Sequence, residues 1–175
     1  MMKYMKYMFI MLALSSLVLL LWNQVPIINQ TVHAILDPTF GSLLNRNATY
    51  GLLIIVMIFS LITTLVQKYG TDQATLKELK KEQKILQEEM KKYKDNPEKL
   101  LELNKKQMEF IPKTMELTMR PVMYTAVFFV LCFGWFRDYF ATVDFKFLGF
   151  LSWIWFYIIF SIVFSTIFKK ILKVV

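Results

Sequence analysis

The sequence predicts an all-α membrane protein with three core transmembrane helices, a cytoplasmic antiparallel coiled-coil hairpin and an N-terminal signal-anchor helix. Three observations predict it. The chain is 56% hydrophobic and 16% aromatic over 175 residues, with mean hydropathy +0.44, which is more apolar side chain than one soluble core of that size buries. Its charge is segregated, since 23 of its 34 Lys, Arg, Asp and Glu residues fall within residues 68–120. Four apolar stretches, 8–22, 50–67, 121–136 and 147–168, approach the ~20 residues that a spanning helix needs.

Taken in order, residues 1–23 carry Lys3 and Lys6 ahead of an apolar run, the pattern of a signal anchor or of a removed signal peptide. No small-x-small cleavage pattern follows, and Asn23-Gln24-Val25-Pro26-Ile27-Ile28 is bulky. A retained anchor is the favoured reading. Residues 24–49 place Ile28, Val32, Ile35, Leu36, Phe40, Leu43 and Leu44 at helical spacing, interrupted at Asp37-Pro38, as in an external interfacial segment. Sequons begin at Asn29 and Asn47.

Residues 50–67 are core span 1 and 121–136 core span 2, both short, and a short span fits a locally thinned bilayer. Residues 137–146 form an external loop, 147–168 core span 3 and 169–175 a tail. None of the three core spans contains a charge. With the N-terminus inside, 18 Lys and Arg lie in the cytoplasm and three outside, so the protein is expected to be a multi-pass cell-membrane protein with its hairpin and C-terminus cytoplasmic.

Residues 68–120 form the hairpin. Leu76, Leu79, Gln83, Leu86, Met90 and Tyr93 recur at spacings of three and four, an a/d seam. Asn96 before Pro97 reads as an N-cap with proline at the first helical position, opening a second arm through Leu100, Leu103, Gln107 and Phe110. Thirteen basic and ten acidic residues nearly cancel here, unlike the one-sided surplus of a nucleic-acid surface, so no direct nucleic-acid binding is expected beyond a possible ribosome contact. Met108, Ile111, Met115, Met119 and Met123 continue toward the membrane as a candidate adaptable apolar face for clients. Ordinary packing on a span is the competing reading.

Polar residues of the spans cluster at one depth. Ser60, Thr63, Thr64 and Gln67 share a face of span 1, Tyr124 and Thr125 open span 2, and Ser161, Ser165 and Thr166 lie late in span 3, with Lys169 just beyond. Hydroxyls in membrane helices commonly bond to their own backbone or join helices. The alternative is an inward-open hydrated groove formed by Ser60, Thr63, Thr64, Gln67, Thr125, Ser161 and Ser165, with Lys68 and Arg120 at its mouth.

Lys68-Tyr69-Gly70-Thr71-Asp72-Gln73, the tip Asp95-Asn96-Pro97-Glu98-Lys99, Met119-Arg120-Pro121-Val122-Met123-Tyr124-Thr125, Phe133-Gly134-Trp135-Phe136-Arg137 and the stretch from Trp155 to Lys170 resemble the archaeal YidC-like membrane proteins. That group is similar to the bacterial YidC and mitochondrial Oxa insertases and to the third subunit of the endoplasmic-reticulum membrane protein complex. The resemblance covers about residues 35–173. It implies an insertase that helps nascent membrane proteins bring their hydrophilic flanks into the bilayer without nucleotide hydrolysis. Membrane lipids, the ribosome and the Sec translocon are further partners to expect. Bacterial members carry an arginine within the groove. The uncharged core spans here leave only Lys68 and Arg120 for that role.

Two other classes remain open at this point: a membrane anchor whose coiled coil tethers a ribosome or partner complex, and an ion-leak or channel subunit. An enzyme is not expected. His33 is the single histidine and Cys132 the single cysteine, which leaves no triad, HExxH motif or cysteine zinc site. No cofactor or metal is expected either.

Overall fold

A computed structural model describes residues 2–94 and 96–174. Among the described residues the regular elements are helices: α1 (Met2–Leu21), α2 (Pro26–Leu36), a π-helical turn (Asp37–Gly41), α3 (Ser42–Arg46), α4 (Ala48–Gly70), α5 (Gln73–Lys92), α6 (Pro97–Thr142) and α7 (Trp153–Leu172). Both α4 and α7 are long and apolar enough to cross a membrane, and two bent helix pairs raise the candidate spans to as many as four. One pair turns by 91° between Phe9–Leu21 and Pro26–Arg46, the other by 52° between Pro97–Met123 and Thr125–Thr142.

Local chemistry sets the helix ends. Asn47 caps α4, its Oδ1 accepting from the Thr49 and Tyr50 amides at 3.1 Å each. Asp72 caps α5 in the same way through Ala74 and Thr75. Asn96 accepts from the Lys99 amide at 3.1 Å, and Pro97 takes the first helical position of α6, where its missing N–H costs nothing. Asp95, part of the expected tip, lies outside the described residues.

Helix α4 has 23 residues, five more than the expected stretch 50–67, so its length gives no argument for thinned lipid. The second core span is part of the same helix as the hairpin's second arm, and α6 runs through Arg137 and Asp138 to Thr142, six residues past the expected end at 136. Helix α7 starts at Trp153 rather than 147, because Leu148 and Gly149 both take positive φ, 53° and 82°, and Ser152 sits extended at the cap.

The bend in α6 has a local cause. Pro121 has no N–H to give the Leu117 carbonyl four residues back, and its ring crowds that carbonyl. The Thr71 hydroxyl donates to this oxygen instead, at a long 3.4 Å. Thr71 itself is buried, so the α4–α5 junction is seated against the kink.

Helices α5 and α6 pack antiparallel from there outward. Leu76, Leu79, Leu86 and Leu103 are buried between them, and the Gln83 amide donates to the Thr114 hydroxyl at 3.3 Å. Tyr93 is exposed instead, with the Lys99 ammonium 5.0 Å from its ring centre. Beyond the kink the membrane core is aromatic. Phe59 makes edge-to-face contacts with Phe40, Phe128, Phe129 and Phe136, Phe133 meets Tyr157 at 4.9 Å, and Phe140 stacks on Trp153 at 5.3 Å.

At the end away from the hairpin, two carboxylates join distant segments. Asp138 Oδ2 accepts from Trp22 Nε1 at 2.7 Å and from Asn29 Nδ2 at 2.8 Å, while Asp138 Oδ1 accepts from Arg137. Asp37 Oδ1 accepts from Trp135 Nε1 at 2.7 Å, and His33 Nδ1 lies 3.1 Å from both Asp37 oxygens. Trp22 is fully buried, and a Cβ at Gly134 would stand 2.9 Å from its ring, so the absent side chain is what lets the indole lie on α6.

Candidate functional site

A cavity of about 400 Å³ opens between α4 and α7 in the half nearer the hairpin, lined by Ser60, Thr63, Phe129, Tyr157, Ser161, Ile162, Ser165, Thr166 and Lys169. The two helices form the most extensive contact in the molecule, yet their packing separates where the side chains turn small and polar. Ser161, Ser165 and Lys169 lie four residues apart along α7, on one stripe of the helix. Phe129 and Tyr157 are its aromatic wall, each tied to the ring cluster beyond through Phe59 and Phe133. The cavity is therefore polar toward one end of the bundle and shut by rings toward the other.

Three of its hydroxyls have a backbone partner in their own helix. Thr63 donates to the Phe59 carbonyl at 2.6 Å, Ser161 to Ile158 at 2.9 Å and Thr166 to Ile162 at 2.8 Å. Their lone pairs stay available to the cavity, and none of these bonds joins one helix to another. Ser60 differs, since it borders the cavity but its Oγ is buried with no hydrogen-bond partner. On the order of ten waters would fit, at ~30 Å³ each. Lys169 is the one charged group among the lining residues.

Of the sequence-predicted groove residues, Ser60, Thr63, Ser161 and Ser165 come together here. Thr64 does not line the cavity; it is buried and donates to the Ser60 carbonyl at 2.7 Å. Thr125 is also buried, donating to the Pro121 carbonyl at 3.1 Å in the kink. Gln67 lies at the end of α4, where its carbonyl accepts from the Gln73 side chain at 2.8 Å. Of the two expected mouth cations, Lys68 sits beside Tyr69, 5.7 Å from its ring centre, away from the lining, and the side chain of Arg120 lies outside the described residues. Lys169, Thr166, Tyr157, Phe129 and Ile162 were not among the predicted groove residues. For Thr166 and Lys169 the signal was present, as both extend the polar run begun at Ser161.

The candidate apolar face divides in two. Met108, Ile111 and Met115 are exposed on the hairpin part of α6, while Met119 and Met123 are half-buried near the bend. Among the described residues no three His, Cys, Asp or Glu side chains gather where they could hold a metal ion. The Asn29 amide, in the first sequon, is occupied by Asp138, whereas Asn47 caps α4 through its oxygen.

The sequence profile of a family described as integral membrane protein EMC3/TMCO1-like matches residues 34–174. No curated protein and no solved structure matches the chain.

Proposed function

Because the chain belongs to the EMC3/TMCO1-like family of integral membrane proteins, within the YidC/Oxa1/Get1 insertase superfamily, we propose that it is an insertase whose α4–α7 cavity receives the hydrophilic flanks of nascent membrane proteins. The observation that carries this reading is a hydroxyl-lined cavity of about 400 Å³ between two membrane-length helices, closed by aromatic rings at one end.

Energetics explain what such a cavity does. A charge at mid-bilayer costs at least ~2.5 kcal/mol even on the mildest scale. Ser161 and Lys169 are eight residues apart, or about 12 Å along α7. If Lys169 marks the headgroup boundary, a hydrated cavity of that depth leaves roughly 18 Å of the ~30 Å hydrocarbon core to be crossed dry. No bond is made or broken and no cofactor takes part. The ring cluster supplies the counterpart, keeping water from running through.

Capture and release follow from the same chemistry. Met108, Ile111 and Met115 present an unbranched, adaptable apolar surface to an arriving segment. Helix α6 leads from that surface past the Pro121 kink to Phe129 at the cavity wall. Thr63, Ser161 and Thr166 bind weakly because their hydroxyl protons are already given to backbone carbonyls, so a client is free to leave laterally into lipid. Lys169 makes the cavity favourable to acidic flanks over basic ones, taking the part that the sequence assigned to Lys68 and Arg120. In this proposal the hairpin and C-terminus face the cytoplasm, as the 18-to-three division of basic residues supports, and the ribosome and the Sec translocon act upstream.

Reconstituted liposomes test the proposal. A single-span client with a short hydrophilic flank should become protease-protected faster with the protein present than in empty vesicles. Equal rates overturn it.

A further inference from the structure

The segment between α6 and α7 ends in a tight turn that displays apolar side chains. Phe147 and Leu151 pair in both directions, with amide-to-carbonyl distances of 2.8 and 3.0 Å, and the Phe150 amide closes the turn onto the Phe147 carbonyl at 3.3 Å. Its two central residues, Leu148 and Gly149, have φ of 53° and 82°, the double positive that a type I′ turn requires. Asn, Asp or Gly normally fills the first of these positions. Leucine there is strained, and nothing within the chain rewards it, since Leu148 is 73% and Phe150 76% exposed. A strained residue that holds an apolar side chain outward points to an external contact.

The surroundings identify that contact as lipid. Phe147 packs on Phe156 at 4.9 Å and on Phe160 at 6.1 Å, so the turn lies alongside the first two turns of α7 instead of standing off its end. One face of α7 packs on α4, and the other exposes Ile154, Trp155, Ile158, Ile159 and Val163, an apolar surface that in an integral membrane protein faces acyl chains. Trp155, exposed, follows the turn and the Asp144–Lys146 ion pair, 2.8 Å, precedes it, the arrangement of aromatic and charged groups at a membrane–water boundary. We propose that Leu148 and Phe150 are an acyl-chain anchor, inserted into the leaflet on the side away from the hairpin, which pins the free end of α7. The inference goes beyond the insertion reading and stands or falls separately from it.

Site-directed spin labelling of the full chain in lipid nanodiscs tests it. Cysteines replace Leu148 or Phe150 in a Cys132→Ala background, with Ile159→Cys, exposed on α7 and outside the cavity lining, as the lipid-facing reference and Lys92→Cys as the water-facing one. Labels at 148 and 150 should shift toward the Ile159 reference, relaxed strongly by oxygen and weakly by a water-soluble nickel complex. Nickel access matching Lys92 overturns the proposal by placing the turn in water. Exclusion of both reagents overturns it equally, since a protein surface, such as a second copy, then covers the turn.

Discussion

Replacing Trp22 tests how the N-terminal helix is held. The indole contributes two separable things: a hydrogen bond of 2.7 Å to Asp138 and a ring lying on Gly134. Trp22→Phe keeps most of the ring and removes the donor. A hydrogen bond to a charged group is worth about 1.5–3 kcal/mol, and the low end applies because Asp138 is part-exposed and keeps Asn29 and Arg137. Trp22→Ala also leaves a cavity, for a total of about 3–5 kcal/mol. Gly134→Ala puts a methyl 2.9 Å from the ring, an overpacking cost of about 1–3 kcal/mol. In the Trp22→Ala background the same methyl meets open space, and Gly134→Ala should become neutral or gain up to ~1 kcal/mol from helix propensity. The assay is a double-mutant cycle of unfolding in mixed micelles, with α1 docking followed by a crosslink to α6. Additive costs, or a Phe variant as damaged as the Ala variant, would refute the reasoning. Trp22 also precedes the family-matched region at residue 34, so the intact mass of membrane-purified protein should include α1; a chain beginning after Trp22 would contradict the docking.

Pro121→Ala should restore a donor for the Leu117 carbonyl and reduce the 52° bend, lengthening the distance between spin labels placed on the two halves of α6; an unchanged distance means the kink has another cause. Cysteines at Lys92 and Asp144, in a Cys132→Ala background, should react with an impermeant maleimide from opposite sides of the membrane, and labelling of Lys92→Cys in intact cells would overturn the proposed topology. Replacing residues 76–110 by a flexible linker should leave a membrane-inserted protein that crosslinks poorly to clients; normal client insertion by that form would remove the receiving role from the hairpin and from Met108.

The parts of the fold that were legible are those written in local pattern. Charge segregation located the charged helix pair α5 and α6, three-and-four spacing of leucines picked out Leu76, Leu79, Leu86 and Leu103 buried in it, and Asn96-Pro97 marked the helix start. Helix ends facing the other way were not legible, because their charges are satisfied from far along the chain. Arg137 and Asp138 read as a loop on composition, yet Asp138 is held by Trp22 and Asn29, 116 and 109 residues away. The turn at Leu148 was equally hidden, since a leucine at positive φ leaves no signature beyond the neighbouring glycine. At the cavity, periodicity put Ser60, Thr63, Thr64 and Gln67 on one broad face. It could not say which of them would border the cavity: Ser60 and Thr63 do, while Thr64 is buried away from it.

The central claim is that the cavity hydrates a client's flank, and the hydroxyls that bond only within their own helices make a clean test. Thr63→Val and Ser161→Ala nearly preserve volume and break only bonds within their own helices, and Ser165→Ala removes one more lining hydroxyl, so folded amount should change little. Insertion is then measured in liposomes for two clients that differ only in an acidic or an uncharged flank. If the hydroxyls lower the acidic client's barrier by ~1.4 kcal/mol, its rate falls about tenfold while the uncharged client inserts nearly as before. Equal loss for both clients, or no loss for either, would contradict a hydrated cavity as the working part.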